Sequence, residues 1–149
     1  MKKVAPFLCL AFFLFCLMPV GSAQSAPMVI KIAHPQPIGA PEDIAFHAFA
    51  DKLGELSGGT MKGEVYPALQ LGSIVEMFES TQLGVIEISG AATAILSSFC
   101  DDVKVIDLPY MLPKDVKAID HVLNNTPEGK ELLARLRNSG LEGGGFWCM

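Results

Sequence analysis

Histidine is the side chain in this sequence most suited to ligand binding or proton transfer near neutral pH, and the chain has three. His34, His47 and His121 lie on separate predicted elements, without the spacing of a metal site. His47 and His121 fall within predicted helices beside polar residues, which is typical of surface histidines. His34 directly follows a predicted strand, and open α/β sheets bind ligands beyond the carboxyl ends of their strands. His34 is therefore a candidate ligand contact, and capping of a loop is the alternative.

A run of small residues after a later predicted strand is the second candidate contact. Gly90, Ala91, Ala92 and Thr93 would let a ligand approach the backbone closely. A helical turn after them could also present backbone N–H groups to an anion. Close packing of a helix on a sheet requires small residues too, so both interpretations stay open.

The sequence contains no motif that would indicate catalysis. Phosphate-binding, serine-hydrolase, dinucleotide-binding and zinc-protease signatures are all missing from it. We therefore predict no catalytic residue, no cofactor and no metal. Two of the four cysteines, Cys100 and Cys148, could pair in an oxidising compartment, but their spacing does not decide whether they do.

The N-terminal segment predicts export. Lys2 and Lys3 precede an apolar run over residues 4–20, and residues 21–23 are small, as at a signal-peptidase site. We expect a cleaved signal peptide at 1–23, a mature chain at 24–149 and a periplasmic location, with an uncleaved membrane anchor as the alternative. Cleavage would change the formal net charge from −5 to −7 by removing the two lysines. This acidic balance argues against nucleic acid and anionic lipid surfaces as partners.

Strand and helix patterns alternate through the mature chain, which predicts an α/β open sheet with helices on both faces. The predicted strands cover residues 29–33, 61–66, 85–88, 103–106 and the start of 141–147. The predicted helices run from Pro41 to Gly58, from the Ser73–Glu76 capping box to Gly84, over 114–123, and from Thr126 to Gly140. Ala45, Phe49, Leu53 and Leu56 are the predicted buried face of the first helix.

Several short motifs in one register carry a resemblance to a known family. They are FADKL (49–53), SGG (57–59), YP (66–67), QLG (70–72), EM (76–77), QLG (82–84), LPY (108–110) and GFW (145–147). Together they resemble the opening of the DctP-type solute receptors of TRAP transporters. The resemblance implies a periplasmic-binding-protein-like fold whose two lobes close on a small organic acid, such as a dicarboxylate. It also implies delivery of that acid to TRAP membrane subunits without ATP hydrolysis.

The resemblance adds expectations about single residues and about length. It places His34 at the pocket-facing end of the first strand and Ala92 where some relatives have a polar ligand contact. The small Ala92 argues against a sialic-acid-like ligand, and Glu87 replaces a more usual Asp. Such receptors are roughly double this length overall, as two lobes require, and their carboxylate-binding arginine comes later. We therefore expect a weakly binding chain truncated within the first lobe; a small secreted α/β enzyme or a regulatory fragment is the alternative.

Overall fold

The computed structural model of the chain describes residues 26–147. The expected signal peptide and Cys148 lie outside the described residues. The strands are β1 (Met28–Ala33), β2 (Met61–Tyr66) and β3 (Ile88–Ser89). The α-helices are α1 (Pro41–Leu56), α2 (Ile74–Gln82), α3 (Thr93–Leu96), α4 (Val116–Asp120) and α5 (Pro127–Arg135). Two 3₁₀ segments, Asp101–Asp107 and Leu136–Ser139, and a π-helical turn, His121–Asn125, complete the described elements.

The strands form a parallel sheet in the order β2–β1–β3, which confirms the predicted open α/β architecture. Ile32 in the central strand pairs with Val65 of β2 and with Ile88 of β3. Successive side chains of a strand point to opposite faces. Ala33 accordingly packs with Met77 of α2, while Ile32 lies toward α1 on the other face. Because all strands run in one direction, their carboxyl ends share one edge of the sheet. Both candidate contacts lie at this edge, since His34 directly follows β1 and residues 90–93 directly follow β3.

Helix α1 begins and ends where the sequence predicts, but its buried face is rotated. Pro41 occupies the first turn, where a missing N–H costs no hydrogen bond, and the helix ends before Ser57. The prediction that Phe49 and Leu56 are buried is wrong, because both are exposed. Ala50 faces the sheet instead, and the backbone of Gly63 in β2 comes so close that an added Cβ would lie 2.5 Å from the Ala50 Cβ. A small residue is required at this contact, and this sets the rotation of the helix.

Helix α2 follows the predicted capping box. The Ser73 Oγ accepts the Glu76 backbone N–H at 3.4 Å, and the Glu76 Oε2 accepts the Ser73 N–H at 2.7 Å. This exchange satisfies two N–H groups that a helix start otherwise leaves unpaired. Met77 and Phe78 are buried, and Gly84 ends the helix as predicted, in the left-handed region at φ +71°.

The third strand is shorter than predicted and begins later. Residues 85–87 form a bend, and the strand itself is Ile88–Ser89. The Glu87 Oε2 accepts the backbone N–H of Lys31 at 2.7 Å, and the Lys31 Nζ donates to the Val85 carbonyl at 3.1 Å. The Glu87 carboxylate therefore satisfies a donor of β1 beside the point where β3 begins.

The prediction of a fourth strand at residues 103–106 is wrong. The segment Asp101–Asp107 is a 3₁₀ helix, in which Asp101 forms an ion pair with Lys104. Val103 is fully buried against the cluster around Phe78, whereas Val105 is exposed. The β-branched residues suggested a strand, but strand preference depends strongly on tertiary context, and burial of a single valine is satisfied equally well by a helical turn.

Two further predictions, a helix boundary and a strand near the end of the chain, differ from the structure. The helix expected over 114–123 begins at Val116 and continues as a π-helical turn to Asn125. Residues 141–147 form no strand. The side-chain amide of Asn124 pairs instead with the backbone of Phe146, donating to its carbonyl at 2.7 Å and accepting its N–H at 2.8 Å. A side chain thus supplies the hydrogen bonds that a neighbouring strand would supply.

Candidate functional site

His34 lies at the carboxyl end of β1 and is fully buried between the sheet and α1. Its Nε2 is 3.2 Å from the Oδ1 of Asp43, a residue of the first turn of α1. Asp43 is itself only 3% exposed, and its Oδ2 accepts the backbone N–H of Gly39 at 2.8 Å. The loop after β1, the start of α1 and the end of the strand are therefore joined through one carboxylate.

Hydrogen bonding holds the pKa of the Asp43 carboxyl below its ordinary value. The N–H of Gly39 lowers the pKa most, the hydrogen bond from His34 and the charges of His47 and His34 lower it further, and burial opposes them. The Asp43 carboxylate is consequently ionised at neutral pH. An ionised carboxylate only accepts hydrogen bonds, so the Nε2 of His34 must carry the proton between the two groups.

A second imidazole shares the same carboxylate. The Nε2 of His47 lies 3.5 Å from the Asp43 Oδ1, and the His47 side chain is 59% exposed. His47 is thus the solvent-facing member of the group, as expected of a surface histidine. The Nδ1 of His34 is buried and has no hydrogen-bond partner among residues 26–147. Buried polar atoms are usually paired, so this atom is an exception among the described residues.

Aromatic side chains continue the cluster away from His34. The Phe46 ring stacks on the His34 ring with 5.3 Å between centroids, and Trp147 meets Phe46 edge-on at 6.0 Å. The pairing of Asn124 with the Phe146 backbone holds the residue next to Trp147 in place. Trp147 remains 54% exposed, so part of this apolar surface is open to solvent.

Gly90 brings the second predicted segment against this cluster. Its N–H donates to the Ala33 carbonyl at 3.0 Å, next to His34 in the chain. An added Cβ at Gly90 would lie 2.7 Å from the Phe46 ring and 3.0 Å from the Glu42 Oε1. The structure therefore brings Gly90 and His34 together through Phe46. The closeness also supports the packing interpretation of the small residues, because any side chain here would displace the Phe46 ring.

The remaining predicted contacts lie along the chain from Gly90. Ala91 is half-buried and packs against the cluster around Phe78, while Ala92 is exposed at the N-cap position of α3. The Thr93 hydroxyl donates to the Asp107 Oδ1 at 2.6 Å. Thr93 is therefore connected to the 3₁₀ segment rather than to His34.

Sequence reasoning missed the side chains that surround His34. The sequence patterns predict Asp43, Glu42 and Phe46 only as parts of a helix, and Trp147 only as part of a strand. The four-residue spacing of Asp43 and His47 places them on one helix face, which was the available signal for a shared contact. The pairing of Asp43 with His34 depends on the loop between β1 and α1, and no local pattern indicates it.

A concavity of about 430 Å³ lies between the 3₁₀ segment, the π-helical turn and α5, is lined mostly by apolar residues, and shares no residue with the His34 cluster. No group of histidine, cysteine or acidic side chains within residues 26–147 is arranged to hold a metal ion. No helix among these residues has the length and apolar character needed to cross a membrane.

Comparisons with known proteins agree with the resemblance noted in the sequence. The family model of bacterial extracellular solute-binding protein family 7, DctP, matches residues 32–148. The C4-dicarboxylate-binding protein DctB of Bacillus subtilis is 32% identical over 120 residues, which cover 80% of this chain and 34% of the relative. The C4-dicarboxylate-binding periplasmic protein DctP of Rhodobacter capsulatus is 32% identical over 126 residues, covering 84% and 37%.

A solved structure supports the same relationship. The sugar acid binding protein DctPAm of Advenella mimigardefordensis, in complex with galactonate, superposes with a TM-score of 0.74 at 29% identity. The match covers 83% of this chain and 39% of that protein. The chain thus spans about a third of the length of the curated relatives that it matches.

Proposed function

The chain belongs to bacterial extracellular solute-binding protein family 7, and we propose that it forms part of a receptor that captures a small organic acid for uptake by a TRAP transporter. The observation that carries the proposal is the family match over residues 32–148, which includes the carboxyl edge of the sheet with His34 and Gly90. The names of its relatives refer to C4-dicarboxylates and to a sugar acid, both small organic acids. The family is one of solute-binding receptors rather than enzymes.

The TRAP membrane subunits are the partners in this proposal. The family resemblance supports them, because receptors of this kind deliver their acid to paired membrane subunits. The site residues in the proposal are His34, Gly90, Ala91, Ala92 and Thr93, at one edge of the sheet. In parallel α/β sheets that edge is where ligands bind, and this supports their assignment.

Export through a cleaved signal peptide is the proposed route to the periplasm. We expect the chain, expressed in a Gram-negative host with its own N-terminal segment, to be recovered from the periplasm with an intact mass lacking residues 1–23. Ala23→Phe is the matched control, because a large residue next to the cleavage position blocks signal peptidase and should leave the leader attached. Recovery of the wild-type chain at its full mass in the membrane fraction would contradict export by cleavage.

Acid binding at the sheet edge can be measured residue by residue. A chain covering about a third of its relatives should bind weakly by itself, with a Kd of about 1 mM, because such receptors bury their ligand between two lobes. Titration of the ¹⁵N-labelled chain with galactonate and with succinate should shift the amide resonances of His34 and Gly90. Neutral galactose is the control and should shift neither. Absence of shifts with both acids, or shifts confined to other residues, would show the proposal to be wrong.

A further inference from the structure

A groove outside the His34 cluster has apolar walls and is open to solvent. It is the concavity of about 430 Å³ between the 3₁₀ segment after α3, the π-helical turn and α5. Its walls include Val105, Ile106, Leu112, Val122, Leu123 and Leu132. Val105 is 38% exposed and Met111, which also lines the groove, is 57% exposed, so the groove is not closed over. π-helical turns are rare and are frequent at functional sites, and this groove lies directly against one.

A strained turn leads into this groove. The Met111 N–H donates to the Leu108 carbonyl at 3.4 Å, so Pro109 and Tyr110 are the two central residues of the turn. Tyr110 has φ +65°, as the third residue of a type II turn requires, and that position normally holds glycine or asparagine. The Tyr110 side chain is fully exposed, so no packing within residues 26–147 offsets the strain. Backbone strain of this kind clusters at ligand-binding sites, and here it presents an aromatic side chain beside a residue of the groove.

The rim of the groove carries more negative than positive charge. Arg135 forms ion pairs with Asp102 at 3.2 Å and with Glu131 at 2.8 Å, whereas Glu128 has no ion-pair partner among residues 26–147. Three carboxylates and one guanidinium group therefore line the groove, with a net charge of −2 at neutral pH. A partner with positive charges beside apolar side chains complements this surface, whereas an anionic lipid surface is repelled by it.

The elements around the groove decide the form of that partner. The 3₁₀ segment, the π-helical turn and α5 pair their backbone groups mostly within themselves and offer no free strand edge. An extended peptide binds by adding to such an edge, so it gains little here. A small molecule buries most of its surface when it binds, which an open groove does not allow. An amphipathic helix buries only one face, and its apolar side chains at i, i+3, i+4 and i+7 enter a groove of this kind.

We propose that the groove and the turn at residues 108–111 form a docking surface for an amphipathic helix of a partner protein, whose apolar face is flanked by lysine or arginine. The apolar side chains of that helix fill the groove, and Tyr110 packs against the helix from the rim. Its basic side chains lie beside Glu128 and Glu131. The inference goes beyond the proposed function, because this surface shares no residue with the sheet edge at which acid binding is proposed.

The test uses the full chain and two fluorescently labelled helical peptides of about 15 residues. Both peptides carry leucine at i, i+3, i+4 and i+7, and the flanking residues are lysines in one peptide and glutamates in the other. Fluorescence anisotropy should show that the wild-type chain binds the lysine peptide about tenfold more tightly than the glutamate peptide. Glu128→Lys removes the net negative charge of the rim and should bring this ratio close to one. Glu55→Lys makes the same charge change at an exposed position of α1 and should keep the wild-type ratio.

Tyr110→Gly separates docking from folding. Glycine adopts the left-handed conformation without strain, so this variant should melt at or above the temperature of the wild type. Its affinity for the lysine peptide should nevertheless fall about tenfold, because an aromatic contact is lost. Leu69→Gly is the matched control, since Leu69 is also exposed and also left-handed, at φ +61°, but lies outside the groove. It should relieve the same kind of strain and keep the wild-type affinity.

Several results would overturn the docking surface. Equal binding of the two peptides to the wild-type chain, or no binding of the lysine peptide, would show that the acidic rim selects no partner. Wild-type affinity in Tyr110→Gly, or an equal loss in Leu69→Gly, would show that the turn at residues 108–111 takes no specific part. A Tyr110→Gly chain that melts well below the wild type would remove the strain on which the inference draws, and the inference with it. Acid binding is measured separately, with galactonate and succinate, so none of these results would contradict the proposed function.

Discussion

Replacing Gly129 by alanine is expected to destabilise the chain by about 3 kcal/mol, the upper end of the usual cost of overpacking. Gly129 is buried in the first turn of α5, directly after the π-helical turn His121–Asn125. An added Cβ would lie 2.2 Å from the Leu123 carbonyl oxygen and 2.5 Å from that of Val122. Both are backbone atoms, so no rotamer change can relieve the contact, and α5 would have to move away from the preceding turn.

The sign of the effect makes this a sharp test. Without the close approach, alanine in a helix would stabilise the chain by up to about 1 kcal/mol over glycine. Gly144→Ala is the control, because an added Cβ there meets nothing within 4 Å, and we expect a change within about 0.5 kcal/mol. Urea unfolding followed by circular dichroism gives both free energies. A Gly129→Ala chain as stable as the wild type, or more stable, would show that α5 and the π-helical turn do not pack as described.

The elements that the sequence predicted correctly are those with local physical causes. The start of α1 follows from Pro41 and the acidic residues after it, and the start of α2 follows from the Ser73–Glu76 exchange of hydrogen bonds. Each cause acts within a few residues and therefore leaves a readable pattern. The alternation of strand and helix patterns likewise predicted the open α/β sheet, although it gave no strand order.

The features that the sequence did not predict depend on contacts between distant parts of the chain. Val103 is buried against Phe78 in a 3₁₀ turn, and nothing in residues 103–106 distinguishes that turn from a strand. The rotation of α1 depends on how closely Ala50 approaches Gly63. His34 and Gly90 could be proposed as site residues because each follows a strand. Glu42 and Phe46 could not, because their place beside Gly90 follows from that same rotation.

Replacing Asp43 by asparagine is expected to lower the melting temperature by about 5 °C or more. The carboxylate accepts hydrogen bonds from Gly39 and His34 and lies beside His47, whereas an amide has only one oxygen to offer. Its NH₂ group must then face at least one donor, which leaves a buried polar group unsatisfied. Asp51→Asn, at an exposed position of the same helix, is the control and should melt close to the wild type.

The pH dependence of stability identifies the cause of that loss. Because the pKa of Asp43 is lower in the folded chain than in the unfolded chain, its contribution is complete above the unfolded value and is lost as the pH falls through the folded value. The wild type and Asp43→Asn should therefore differ most near neutral pH and converge below about pH 4. Imidazole ¹⁵N spectra should show the His34 proton on Nε2 in the wild type, since a carboxylate can only accept it. A constant difference between the two melting temperatures down to about pH 2, or a His34 Nε2 without a proton, would mean that Asp43 does not hold His34 through its charge.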